Sequence, residues 1–159
     1  MYPKEVSGRG KDLKPGAEVR ILSPGHKCLG RGVFDNGWIT VRRFREDDAP
    51  LDENFFRTRL LDAKRLRESI IETNTSAYRL VHGENDGLPG IRIDFYESHL
   101  RVSLDSPSLL SILDPLCNAL ESLFTPRAIY LAWRPDPRDR FKLSSAPRPP
   151  GLIRGHGHK

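Results

Sequence analysis

Two cysteines among 159 residues, Cys28 and Cys117, leave little scope for covalent cross-linking. They share no CxxC spacing, so neither a disulfide framework nor a structural zinc site is supported, and a reducing, cytoplasmic setting is expected. Cys28 reads as a small strand residue and Cys117 as helical core. No run reaches the roughly 18 to 20 apolar residues that a membrane span needs. The opening MYPKEVSGRGKDLK is charged and holds no apolar stretch, so a secretory signal is not expected. A Walker loop, a GxSxG elbow and an HExxH pair are also missing. Gly8-Arg9-Gly10 and Gly30-Arg31-Gly32 are too short for a dinucleotide fingerprint. Glu84, Asp86 and Asp94 lack calcium-loop spacing, and His156 and His158 sit in a glycine-rich terminus. The residues alone carry no catalytic constellation and no metal site.

What is present is enough to fold. Apolar residues make up 37% of the chain and charged residues 30%, the balance of a chain with a core rather than of a disordered one. The net charge of +5 is unevenly spread. Residues 1–45 hold ten Lys/Arg and four Asp/Glu (+6), residues 46–133 nine and fifteen (−6), and residues 134–159 seven and two (+5). Bulk charge is therefore a poor guide to partners, and local charge matters more.

The front segment reads as short strands punctuated by turns. Lys14-Pro15-Gly16 and Ser23-Pro24-Gly25 are turns, Glu18–Leu22 alternates polar and apolar residues, and Cys28–Phe34 is a second strand. Asp35-Asn36-Gly37 predicts a hairpin into a strand over Trp38–Phe44. Three such strands suggest a small curled barrel. Asp52–Ile71 is helical, with Phe55, Phe56, Leu60, Ala63, Leu66 and Ile70 on one stripe and Asp52 or a nearby residue as its cap. Strands follow at Ala77–His82, Ile91–Tyr96 and Leu100–Leu104. A helix with Asp114 as N-cap and Pro115 at its first position comes next, then a strand at Ala128–Trp133. From Arg134 the proline-rich, arginine-rich chain predicts a disordered tail. The fold class is α+β: a small β-barrel with a helix, a strand-strand-strand-helix-strand unit, and the tail, divided at 1–73, 74–133 and 134–159. The second unit is expected to leave an apolar face exposed.

One feature of the front segment points to a partner. Lys27, Arg31, Arg42, Arg43 and Arg45, with Trp38 and Phe44 nearby, offer phosphate contacts and stacking surfaces for RNA. The paired glycines flanking Arg31 mark a bulge or a close backbone approach, which would let Arg31 reach a nucleic-acid backbone.

Two stretches resemble a known family. LKPGAEVRIL…LGRGVFDNGWITVRRF…FFRTRLLDAKRLRESI is similar to the N-terminal PUA domain of class I SAM-dependent large-subunit ribosomal RNA methyltransferases. YRLVHGENDGLPGIRIDFYESHLRVSL resembles that family's next element, and Tyr78–Asp94 is its most specific part. The resemblance covers residues 2–133 and is to the 5-methylcytosine enzymes of the ribosomal RNA methyltransferase I type. It implies RNA, ribosomal RNA in particular, as partner. S-adenosyl-L-methionine serves the full-length family, in a Rossmann-like domain to which no position here corresponds. The expectation is thus an RNA-binding front portion without chemistry of its own, with Lys27, Arg31, Trp38, Arg42, Arg43 and Arg45 on the RNA. A stand-alone RNA-binding module and a non-functional gene fragment are the alternatives. The resemblance is expected to stop at Trp133.

Overall fold

Two sheets account for all the strands in the computed structural model, which describes residues 1, 12–35, 37–72, 74–133 and 150–155. Strands β1 (Glu18–Leu22), β2 (Cys28–Phe34) and β3 (Val41–Arg45) form an antiparallel sheet in that order. β3 begins later than the alternation of Trp38–Phe44 suggested. Residues 37–40 are a bend, and the Asp35 amide donates to Thr40 O at 2.8 Å, so a loop replaces the tight hairpin.

Helix α1 (Glu53–Glu68) starts where its cap was expected, with Asp52 accepting from the Phe55 amide at 2.9 Å. Phe55, Phe56, Leu60 and Ala63 are buried as their spacing requires. Leu66 and Ile70 are exposed instead; Leu66 is on the last turn of the helix, and Ile70 lies past its cap, Ser69.

The second sheet has the order β4 (Ala77–His82), β5 (Ile91–Tyr96), β6 (His99–Leu104), β7 (Ala128–Trp133) and β8 (Gly151–Gly155). Among the described residues only β6 and β7 run parallel, joined by a 3-10 stretch, Pro107–Ile112, and helix α2 (Leu113–Phe124). Asp114 is not the cap of α2. The helix begins two residues earlier, at Leu113 with Ile112 as its cap, and Pro115 sits within its first turn, where its missing N–H costs nothing. Strand β8 corrects the expectation of a wholly disordered tail: Gly151–Gly155 pairs antiparallel with β7. The remainder of that tail, residues 134–149 and 156–159, lies outside the described residues.

Period-two alternation gives the second sheet two unlike faces. Ile91, Ile93, Leu100, Val102, Leu104, Ile129 and Leu131 are buried in one cluster with Phe56, Leu60 and Ala63 of α1 and Leu116, Ala119 and Leu120 of α2. The cluster also takes in Val33 and Phe44 of the first sheet. Among the described residues the apolar face is therefore covered, contrary to expectation. α1, although it follows the first sheet in the chain, packs along α2 and against β4.

A buried polar joint ties the first sheet to the turn after β6. Arg42 Nε donates to Asp35 Oδ2 at 2.9 Å, Ser106 Oγ donates to Asp35 Oδ1, and Ser108 Oγ donates to the Asp35 carbonyl at 3.3 Å. Gly90, at φ +76°, passes so close that a Cβ there would lie 2.8 Å from Arg42 Nη1. Only glycine fits both the backbone angle and the space.

Candidate nucleic-acid interface

The close backbone approach expected at Gly30-Arg31-Gly32 is real, but the neighbour is the protein's own chain. β2 and β3 shift register between Arg31 and Gly32, and a Cβ on Gly32 would lie 2.2 Å from Arg42 O. The six residues expected on RNA are consequently placed in different ways. Lys27, Trp38 and Arg43 are exposed. Arg43 Nη1 donates to Leu29 O at 3.1 Å, and Glu46 lies 3.5 Å from its Nη2. Arg31 is half-buried, bound to Glu18 at 3.0 Å and Asp48 at 2.8 Å. These partners hold its pKa above the usual arginine value, Glu18 contributing most. Arg45 grips Asp47 through two hydrogen bonds, at 2.6 and 2.9 Å, and lies 5.1 Å over the Phe55 ring. The Asp47 carboxyl is pulled down to about 2, chiefly by Arg45.

Arg42 departs from the expectation altogether. At 8% exposure it is committed to the buried joint with Asp35, and its guanidinium points away from solvent. Phe44 is likewise unavailable for stacking, since it packs edge-on against Phe55 and Phe56.

The Tyr78–Asp94 block has a structural explanation. Asp86 accepts from Arg67 of α1 at 2.9 and 2.6 Å and from the His82 amide at 2.6 Å, fastening the helix end to the β4–β5 connection. Gly87 closes the short 3-10 turn at Gly83–Asp86 in a left-handed conformation. Tyr78 and Phe95 pack ring to ring at 5.2 Å on the core side. These glycines do not form a cradle for a nucleotide cofactor, because Arg59 fills the space over Gly87 and Arg42 that over Gly90. Among the described residues no three His, Cys, Asp or Glu side chains gather as a metal site. Cys28 is half-buried, and burial pushes the Cys117 thiol up to about 11, away from the thiolate a nucleophile needs.

The open face of the second sheet went unnoticed in the sequence. Arg79 and His82 of β4, Asp94 and Tyr96 of β5, and Arg67 from α1 line a shallow groove of about 520 Å³. Arg79 Nε donates to Asp94 Oδ1 at 2.7 Å, and Arg101 of β6 approaches Asp94 Oδ2 at 3.8 Å. The signal that could have found this face was the alternation itself. Arg92, Asp94 and Tyr96 alternate with Ile91, Ile93 and Phe95, and His99, Arg101 and Ser103 alternate with Leu100, Val102 and Leu104.

No protein-family model matches the chain. Individual proteins do. The chain is 38% identical over 159 residues to the ribosomal RNA large subunit methyltransferase I of Tolumonas auensis, covering 98% of this chain and 39% of that protein. It is 35% identical over 150 residues to the protein of the same name from Shewanella amazonensis, covering 92% of this chain and 37% of that one. Both alignments take in more of the chain than residues 1–133 hold, so the likeness continues past Trp133, where it was expected to stop. A solved structure from Streptococcus mutans, described as a SAM-dependent methyltransferase, superposes with a TM-score of 0.74 at 17% identity, over 93% of this chain and 37% of that one. That likeness establishes the fold. The chain is a homologue of large-subunit ribosomal RNA methyltransferases and spans somewhat over a third of the length of these relatives.

Proposed function

We propose that this chain is the RNA-holding portion of a SAM-dependent large-subunit ribosomal RNA methyltransferase, and that transfer to C5 of a cytosine is the work of residues outside the span. The homology to ribosomal RNA large subunit methyltransferase I proteins carries this reading. No residue of the chain is assigned to catalysis, to a metal or to S-adenosyl-L-methionine. Residues 1–73 act as a PUA-like unit, in which Lys27, Trp38 and Arg43 present charge and a ring to RNA. Arg31 and Arg45 remain in the interface as partly neutralised cations, and Arg42 supports it from inside. Residues 74–133 continue the same body, and the setting is cytoplasmic, where ribosomal RNA is modified.

The test is titration of labelled large-subunit ribosomal RNA fragments with the 159-residue chain at rising salt. Log affinity should fall linearly with log salt, by roughly 0.7 to 0.9 for each phosphate contacted. Absence of binding, or an affinity indifferent to salt, would overturn the reading. Incubated with labelled S-adenosyl-L-methionine and the same RNA, the chain alone should transfer no methyl group. Turnover would place chemistry inside the span and overturn that part.

A further inference from the structure

We infer that the open face of the five-stranded sheet is a second RNA surface, and that it takes unpaired nucleotides. The inference rests on the RNA reading above and adds where on the chain, and in what form, RNA is held. Three ring side chains step across neighbouring strands. Tyr96 of β5 stands opposite His99 of β6, and the His99 ring lies 6.4 Å from that of Tyr130 on β7. Strands lie about 4.8 Å apart, so the first two rings stand directly across from each other and the third steps on diagonally, a spacing that an extended nucleotide chain can match. Flat rings on a sheet accept bases by stacking. Bases in a duplex are already stacked on each other, so such a platform selects single strands or splayed loops.

The cations lie in the adjacent row. Arg79, Asp94, Arg101 and Tyr130 are successive cross-strand partners. The Asp94 carboxylate, almost wholly buried, lies between two guanidiniums that are each about half exposed. One carboxylate thus orients two arginines and neutralises one charge. The other charge is left beside the rings, which suits a phosphate backbone. The opposite side of these strands is packed against the helices, and on this side Arg79, Tyr96 and Arg101 are exposed while His99 and Tyr130 are half-buried.

The full chain is titrated with a short unpaired pyrimidine oligoribonucleotide and, separately, with a blunt RNA duplex. Tyr96→Ala should weaken oligonucleotide binding about fivefold or more, and Tyr96→Phe should restore it. Arg101→Ala should flatten the salt slope for the oligonucleotide by about 0.7. Neither change should alter duplex binding. If both variants bind the oligonucleotide as the parent does while Arg43→Ala weakens it, the platform is not an RNA surface and the broader RNA reading stands. If Tyr96→Ala lowers the melting temperature but leaves oligonucleotide affinity intact, the face packs against protein and the inference falls. If the parent chain binds neither RNA, both readings fall together.

Discussion

On the three-stranded sheet, Arg20, Arg31, Arg43 and Arg45 meet four carboxylates: Glu18 from β1, and Glu46, Asp47 and Asp48 from the loop after β3. On the face of the five-stranded sheet, Arg79 and Arg101 share the single carboxylate of Asp94. The front segment, with a balance of +6 over residues 1–45, looked like the basic half of the molecule. The acidic triplet begins one residue past that boundary and folds back over the arginines. The middle segment, at −6, nevertheless presents a face with one arginine in excess, because Asp86 is taken up by Arg67 and Asp94 is shared by Arg79 and Arg101. Charge counted along a chain and charge offered to a partner are separate quantities, and turns decide between them.

The strongest way to break this comparison is to strip a partner from the one arginine that is buried. Asp35→Ala leaves the Arg42 guanidinium without its carboxylate at 8% exposure and should cost about 3 to 5 kcal/mol in denaturant unfolding. Arg43→Ala, at an exposed position, should stay within about 0.5 kcal/mol. Next comes Gly32→Ala, whose Cβ would press against Arg42 O at 2.2 Å and should cost about 1 to 3 kcal/mol. Gly25→Ala, with nothing closer than 3.9 Å, is the control.

A gentler change sharpens the contrast in available charge. Asp48→Asn releases Arg20 and leaves Arg31 with Glu18 alone, and should raise RNA affinity roughly two- to fivefold at low salt. Arg31→Ala should flatten the salt slope less than Arg43→Ala does. The smallest expected effect concerns Asp47. Its folded pKa, about 2, lies below the unfolded value near 3.9. Its contribution to stability is therefore complete above about pH 4 and lost as pH falls towards 2. Asp47→Asn should remove that part of the acid limb, so melting curves of parent and variant should converge between about pH 4 and pH 2.

Much of the fold could be read from periodicity. Glu18–Leu22, Cys28–Phe34, Ala77–His82, Ile91–Tyr96 and Ala128–Trp133 are strands where alternation placed them, and Asp52 caps α1 as its chemistry suggests. The misses share a cause: side-chain direction and long-range pairing are not local properties. Alternation along β3 puts Arg42 and Arg43 on opposite faces, yet nothing local tells which one meets Asp35. β8 is a five-residue strand in a segment rich in proline and glycine, and it exists because β7 offers an edge. Of the RNA-facing set, Lys27, Trp38 and Arg43 are exposed, whereas Tyr96, Arg101 and Tyr130 were passed over.

The joint among Arg42, Asp35, Ser106 and Ser108 has a consequence for the shape of any RNA that touches both sheets. Hydrogen bonds shut away from water have no inexpensive half-broken geometry, since tilting one sheet by an ångström or two strands polar groups before new partners arrive. The two sheets therefore act as a rigid bracket rather than a hinge. The nucleic acid has to do the bending, and sequences or junctions that bend easily to that fixed span are favoured even where no base is read.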